Sequence, residues 1–134
     1  MSQNDIQSKL EQAINQLFTN QADLFRFTSA TNQTEWNINH HLANEIGEVF
    51  SDYHCDVDVA KPDMNRMRPD IIIHERGTHD RNLLIVEIKR READIPGELE
   101  KIQRYWFQAP LSYRYGAVIV INEDGWKLEI LSRD

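Results

Sequence analysis

Asp70, Glu87 and Lys89 are the residues of this 134-residue chain whose types and spacing suit chemistry on a charged substrate. Glu87 and Lys89 lie two apart in residues 83–90, a run with the apolar and β-branched content of a strand, so both side chains leave the same face. Asp70 leads Ile71-Ile72-Ile73 in a second strand over residues 69–76, and residues 77–82 between the two are rich in turn formers. The two strands are therefore predicted to form a hairpin. With Arg76 opposite Leu83 as its last pair, Asp70 faces Lys89 and Ile72 faces Glu87. Asp70 and Glu87 then become diagonal neighbours on one face, with Cα atoms about 7 to 8 Å apart. A slip of one residue would send one of them to the other face.

Two like charges and an ammonium on an apolar hairpin are costly without partners. A hard divalent cation would supply one. Magnesium, with manganese as its substitute, would bind Asp70, Glu87, backbone oxygen and water at about 2.1 Å, keep positions open for a phosphate, and lower the pKa of a bound water. Lys89 would orient that water or stabilise charge developing on the phosphate. The chemistry these residues suit is metal-assisted phosphodiester hydrolysis. The bland alternative is a cross-strand salt-bridge cluster in a plain scaffold.

The elements that must position them follow from hydrophobic periodicity. Ile6, Leu10, Ile14 and Leu17 predict an amphipathic helix ending near Thr19-Asn20. A second helix runs from Thr34, as N-cap, to about Ser51 with Ile38, Leu42, Ile46 and Val49 in register. At about 100° per residue Glu35 falls inside the same sector as those apolar side chains and is aimed at the core, whereas Glu48 projects roughly opposite and Glu45 lies at the edge. The alternative for Glu35 is a first-turn carboxylate complementing the helix dipole near solvent. From Tyr53 the period becomes two, with Tyr53, Cys55, Val57 and Val59 alternating with His54, Asp56 and Asp58 as in a half-buried strand. A loop containing Pro62, Asp63 and Asn65 leads to the hairpin. Ile95-Pro96-Gly97 then punctuates the chain before a helix over residues 98–107 with Leu99, Ile102 and Trp106 on one side, a buried strand over residues 117–121, and a last strand over residues 126–131. The order α-α-β-β-β-α-β-β predicts an α/β (α+β) fold, a mixed central sheet flanked by helices.

Composition bounds the rest. The length fits one domain, and 40% hydrophobic with 28% charged residues is an ordinary globular mix. The longest apolar run, Ala117 to Ile121, is far short of the roughly 20 residues a membrane span needs, so a soluble cytoplasmic protein is expected. With Cys55 as the single cysteine, a metal would be held by oxygen or imidazole, and His40, His41, His54 and His79 have no zinc-site spacing among themselves. The net charge of −7 argues against a polyanionic partner, but its distribution is uneven: residues 1–60 carry 2 basic and 9 acidic groups, residues 61–104 carry 10 and 9. A partner surface is expected in the second half; an acidic first half that keeps a small protein soluble explains the same numbers.

Pro69-Asp70, a hydrophobic run, and then Glu87-Ile88-Lys89 after a turn resembles the PD-(D/E)XK signature of restriction-endonuclease-like nucleases. Of the five lysines only Lys89 follows a glutamate two positions earlier, and Pro62-Asp63 leads into no strand pattern. The resemblance covers residues 34–122, with 1–33 as an N-terminal helical extension and 123–134 as a final turn and strand. It implies a core of a helix, a three-stranded meander, a helix and a further strand. It also implies Asp70 and Glu87 as metal ligands, Lys89 as the catalytic lysine, Glu35 as an auxiliary acid from the first core helix, and DNA, or another nucleic acid, as substrate. Lys101, Gln103 or Arg104 on the helix after the third strand would then offer polar groups to the substrate backbone, unless they simply form a solvated helix face, and Arg90 and Arg91 would bind phosphate or simply end the edge of the sheet. His74, on the face of Asp70, either lines the cleft or is a satisfied surface histidine. Cutting both strands of a duplex would be easiest for a homodimer with symmetry-related sites. The competing expectation is an inactive nucleic-acid- or protein-binding module on the same fold.

Overall fold

The computed structural model describes residues 1–24, 34–57 and 68–134; of residues 34–36 it describes the backbone but not the side chains. The expected loop at Pro62, Asp63 and Asn65, the end of the first strand at Asp58 and Val59, and the Glu35 side chain lie outside the described residues.

The period-3.6 pattern of the N-terminal segment becomes α1 (Gln3–Asn20), which buries Ile6, Leu10, Ala13, Ile14 and Leu17. Its start is a capping box in which Ser2 and Asp5 each accept a backbone N–H from the other residue. Helix α2 (Thr34–Val49) buries Ile38, Leu42 and Ile46, leaving Glu45 half-buried and Glu48 exposed. Strands β1 (His54–Val57), β2 (Ile71–His74), β3 (Leu84–Lys89), β4 (Tyr115–Asn122) and β5 (Gly125–Ser132) form one mixed sheet in that spatial order. All neighbours are antiparallel except β3 and β4, which are parallel and joined by a crossover. Among the described residues no helix is long and apolar enough to cross a membrane.

The two faces of the sheet bury different partners. Ile71, Ile73, Leu84, Val86, Ile88, Ala117, Ile119 and Ile121 pack with α1 and α2. Ile72, Ile85, Val118 and Val120 pack with the crossover. Central strands buried on both sides explain the uninterrupted apolar runs in β2, β3 and β4. Each fully buried isoleucine contributes about 1.5–3 kcal/mol of burial free energy.

The crossover departs from a plain helix over residues 98–107. A 3₁₀ turn (Glu92–Asp94) leads into α3 (Ile95–Lys101) with Pro96 in its first turn, so the Ile95-Pro96-Gly97 punctuation is the helix start rather than a break before it. Residues Ile102–Trp106 then form a π turn, in which Phe107 N–H donates to Ile102 five residues back at 3.1 Å. The wider turn helps Ile102, Trp106 and Phe107 all face the sheet. Gly116 in β4 makes room for this: a Cβ there would overlap Ile102 Cγ2.

The register of the hairpin differs from the expected one by two residues. Leu84 pairs with Ile73 and Val86 with Ile71; Arg76 does not pair with Leu83, because its N–H turns to His54 Nδ1 at 3.0 Å and Leu83 N–H goes to Ile73. The ladder ends earlier and the loop is longer than the expected turn. A shift of two preserves which side chains share a face, so the parity argument survives the wrong register. β1 also differs: Val57 is exposed on the sheet edge, and Asp56 is half-buried on the crossover side.

Candidate functional site

One step beyond the Ile71–Val86 pair, Asp70 comes opposite Glu87, where a diagonal placement was expected. The neighbouring Pro69 is buried and anchors the entry to β2. β3 runs on past the start of the β2 ladder, and the Asp70 carboxylate satisfies the Ile88 N–H there at 2.7 Å. The other Asp70 oxygen lies 3.4 Å from the Asn39 amide of α2. Asn39 Oδ1 is itself buried without a hydrogen-bonding partner among the described residues. It stands one helical turn after Glu35.

Glu87 is the most perturbed group of the site. It is 9% exposed, and burial first, then the Asp70 and Glu98 charges, push its carboxyl up to about 9. A hydrogen bond joins it to Asp70. Without a cation, Glu87 therefore keeps its proton at neutral pH. Lys89, two residues on, directs its ammonium to Glu98 Oε1 at 3.4 Å. Burial alone would lower that ammonium, and Glu98, Asp70 and Glu87 together outweigh it, so the net shift is upward.

Glu98 is the residue that sequence reasoning missed. It lies on α3, is 8% exposed, and holds Lys101 at 3.1 Å as well as Lys89. The available signal was faint: it opened the expected helix as a polar residue next to Leu99, and nothing local tells a buried glutamate from a solvated one.

The other expected substrate-binding residues divide. Lys101 reaches the site's edge through Glu98. Arg90 pairs with Glu123 at 2.9 Å, and Arg91 pairs with Asp94 at 3.0 Å. Gln103 and Arg104 are exposed on the π turn, Arg104 lying over the Tyr105 ring, and neither is bonded to the carboxyl group pair. His74 is buried and Nε2 lies 2.6 Å from Asp56, so it belongs to a separate cluster with Arg76.

Among the described residues no three His, Cys, Asp or Glu side chains converge as a ready cation site. A cation would draw on two carboxyls, Asp70 and Glu87, and on backbone oxygen and water beside them. A buried Glu87 carboxyl hydrogen-bonded to the half-buried Asp70, with the orphaned Asn39 Oδ1 alongside, offers the kind of donors a hard cation takes. Comparison with protein-family models, curated proteins and solved structures finds no match.

Proposed function

We propose that this chain is a magnesium-dependent nuclease with a restriction-endonuclease-like core, hydrolysing phosphodiester bonds of DNA. The observation that carries the reading is the buried Glu87 carboxyl joined to the half-buried Asp70, with Lys89 on the same face and its ammonium held by the neighbouring Glu98. Such a group is costly to fold around and is repaid only by a ligand, which is how functional sites come to hold perturbed groups. The element order supports the fold: α2, the antiparallel meander β1–β2–β3, the crossover helix, and β4 parallel to β3 follow the succession that the resemblance implies.

Asp70 and Glu87 would hold the ion, which when bound supplies positive charge for the phosphate and acidifies water. Lys89 presents a compact cation to the attacking water or the phosphate oxygens. Asp70 is oriented for its role by the Ile88 N–H and Asn39. The Arg90–Glu123 and Arg91–Asp94 pairs lie near the surface and are screened by water, so phosphates compete for those cations at little cost.

Purified protein with magnesium or manganese is expected to nick or degrade plasmid DNA, and Glu87→Ala or Lys89→Ala to abolish this. Equal cleavage by both variants and the parent would sink the assignment. A second reading, a binding module with the same fold, draws on one observation: Arg90, Arg91, Lys101 and Lys127 each already face an acid of the same surface. Folded protein that neither cleaves DNA in either metal nor retains it in a mobility shift would favour it, as a module for a protein partner.

A further inference from the structure

We propose that Glu98 is a positioning residue that holds the Lys89 ammonium off the Asp70 and Glu87 carboxyls, leaving that pair open to a cation. The consequence for cation binding rests on the nuclease reading; the contact itself does not.

Lysine carries its charge on a flexible four-carbon stem, so an unheld ammonium settles on whichever carboxylate is nearest. The acids around Lys89 are Glu98, Asp70 and Glu87. Two of these are the ligands a cation would need, and only Glu98 comes from the crossover. Its backbone is fixed: Ile95 and Ile102 are buried on either side of it, and Ile102 is seated against Gly116. A carboxylate 8% exposed needs compensation, and it has two cations of unequal kind. The Lys101 side chain is 56% exposed and its pairing is screened by water, whereas that of Lys89 is 31% exposed. Lys89 is thus the partner on which the Glu98 charge acts most strongly. Removing that charge releases the ammonium toward Asp70 and Glu87, where it would stand in for the cation.

The contact is tested first in protein freed of divalent ions. With five lysines in the chain, the Lys89 ¹⁵Nζ ammonium resonance is assignable by its loss in Lys89→Met. It is expected to be sharp in the parent and in Glu100→Gln, an exposed neutralisation on the same helix, and shifted or broadened in Glu98→Gln. Glu98→Asp keeps the charge but withdraws the carboxylate by about 1.5 Å, and is expected to show the same loss in weaker form. An unchanged Lys89 resonance in folded Glu98→Gln or Glu98→Asp overturns the proposal. Manganese titration gives the consequence: Glu98→Gln is expected to bind about tenfold more weakly than the parent, and the loss to disappear in the Lys89→Met background. A purely additive effect in the double variant overturns the competition between lysine and cation. A parent that binds no manganese yet shows the Glu98-dependent resonance removes the nuclease reading and leaves the positioning standing.

Discussion

Two polar groups on the same face of the sheet, separated by Ile72, are built from similar residues and behave in opposite ways. Toward the loop end of β2, Asp56 meets Arg76 Nε at 2.9 Å and His74 Nε2 at 2.6 Å. The Arg76 hydrogen bond, outweighing burial and helped by His74, lowers its carboxyl from the ordinary 3.8 to about 2. At the other end, Glu87 is buried, meets Asp70 and has Glu98 nearby, and burial first, then those charges, raise its carboxyl from 4.5 to about 9. The first acid has cations of its own and strengthens the folded state. The second is surrounded by acids, and Lys89, the cation nearest it, is drawn toward Glu98. Like residue types, buried against like charge or paired with unlike charge, separate the proposed site from a structural cluster.

The contrast breaks most visibly in activity. If the acidic group is the site, Lys89→Ala lowers metal-dependent cleavage by about 10²–10³-fold or more, whereas Asp56→Asn retains most of it in protein that remains folded; cleavage rates at matched protein concentration decide the matter.

Next in size is the close approach that brings the crossover to the sheet. Gly116→Ala is expected to cost about 1–3 kcal/mol in urea unfolding, because the new Cβ displaces Ile102. The displacement should disturb the Lys89–Glu98 contact and spare the acid-side pH response of Asp56.

Asp56→Asn is expected to cost about 1–3 kcal/mol at pH 7 by removing the charge and replacing one accepting oxygen with an NH₂ that cannot accept from Arg76 or His74. The sign follows from the lowered carboxyl: its stabilisation is present above the unfolded value of 3.8 and lost as pH falls through about 2. Unfolding midpoints followed from pH 5 to 2 should fall less steeply in the variant than in the parent.

The smallest effect has the opposite sign. Glu87→Gln keeps the shape and neutrality of the folded side chain without the proton that folding must take up, so it should stabilise cation-free protein by about 1 kcal/mol or more at pH 8. With the folded carboxyl raised from 4.5 to about 9, the native state keeps a proton that the unfolded chain releases. Stability is therefore full below 4.5 and lost as pH rises through about 9. A variant no more stable than the parent at pH 8 would erase the distinction between the two groups.

Much of the site was legible because side-chain parity along a strand is a local property. Asp70, Glu87 and Lys89 share a face at any even shift of register, which is why a pairing wrong by two residues still grouped them. The apolar faces of α1 and α2 were likewise readable from their spacing. Asp56 was expected to be one of the polar residues on an alternating strand, and its pairing with His74 and Arg76 depends on which strand β1 lies beside. The helix in residues 98–107 was recognised by Leu99, Ile102 and Trp106, yet it starts at Ile95 with Pro96 in its first turn, and its π turn accompanies the seating of Ile102 against Gly116.

Composition and periodicity alone determined a mixed α+β chain with one hairpin carrying two acids and a lysine on a common face. Only the tertiary structure decided that Asp70 stands directly across from Glu87, that Asn39 reaches the pair from α2, and that Glu98 receives Lys89. The reason is range: strand alternation is set by consecutive residues, whereas partners brought by the hairpin loop, by α2 and by the crossover depend on packing between elements far apart in the chain.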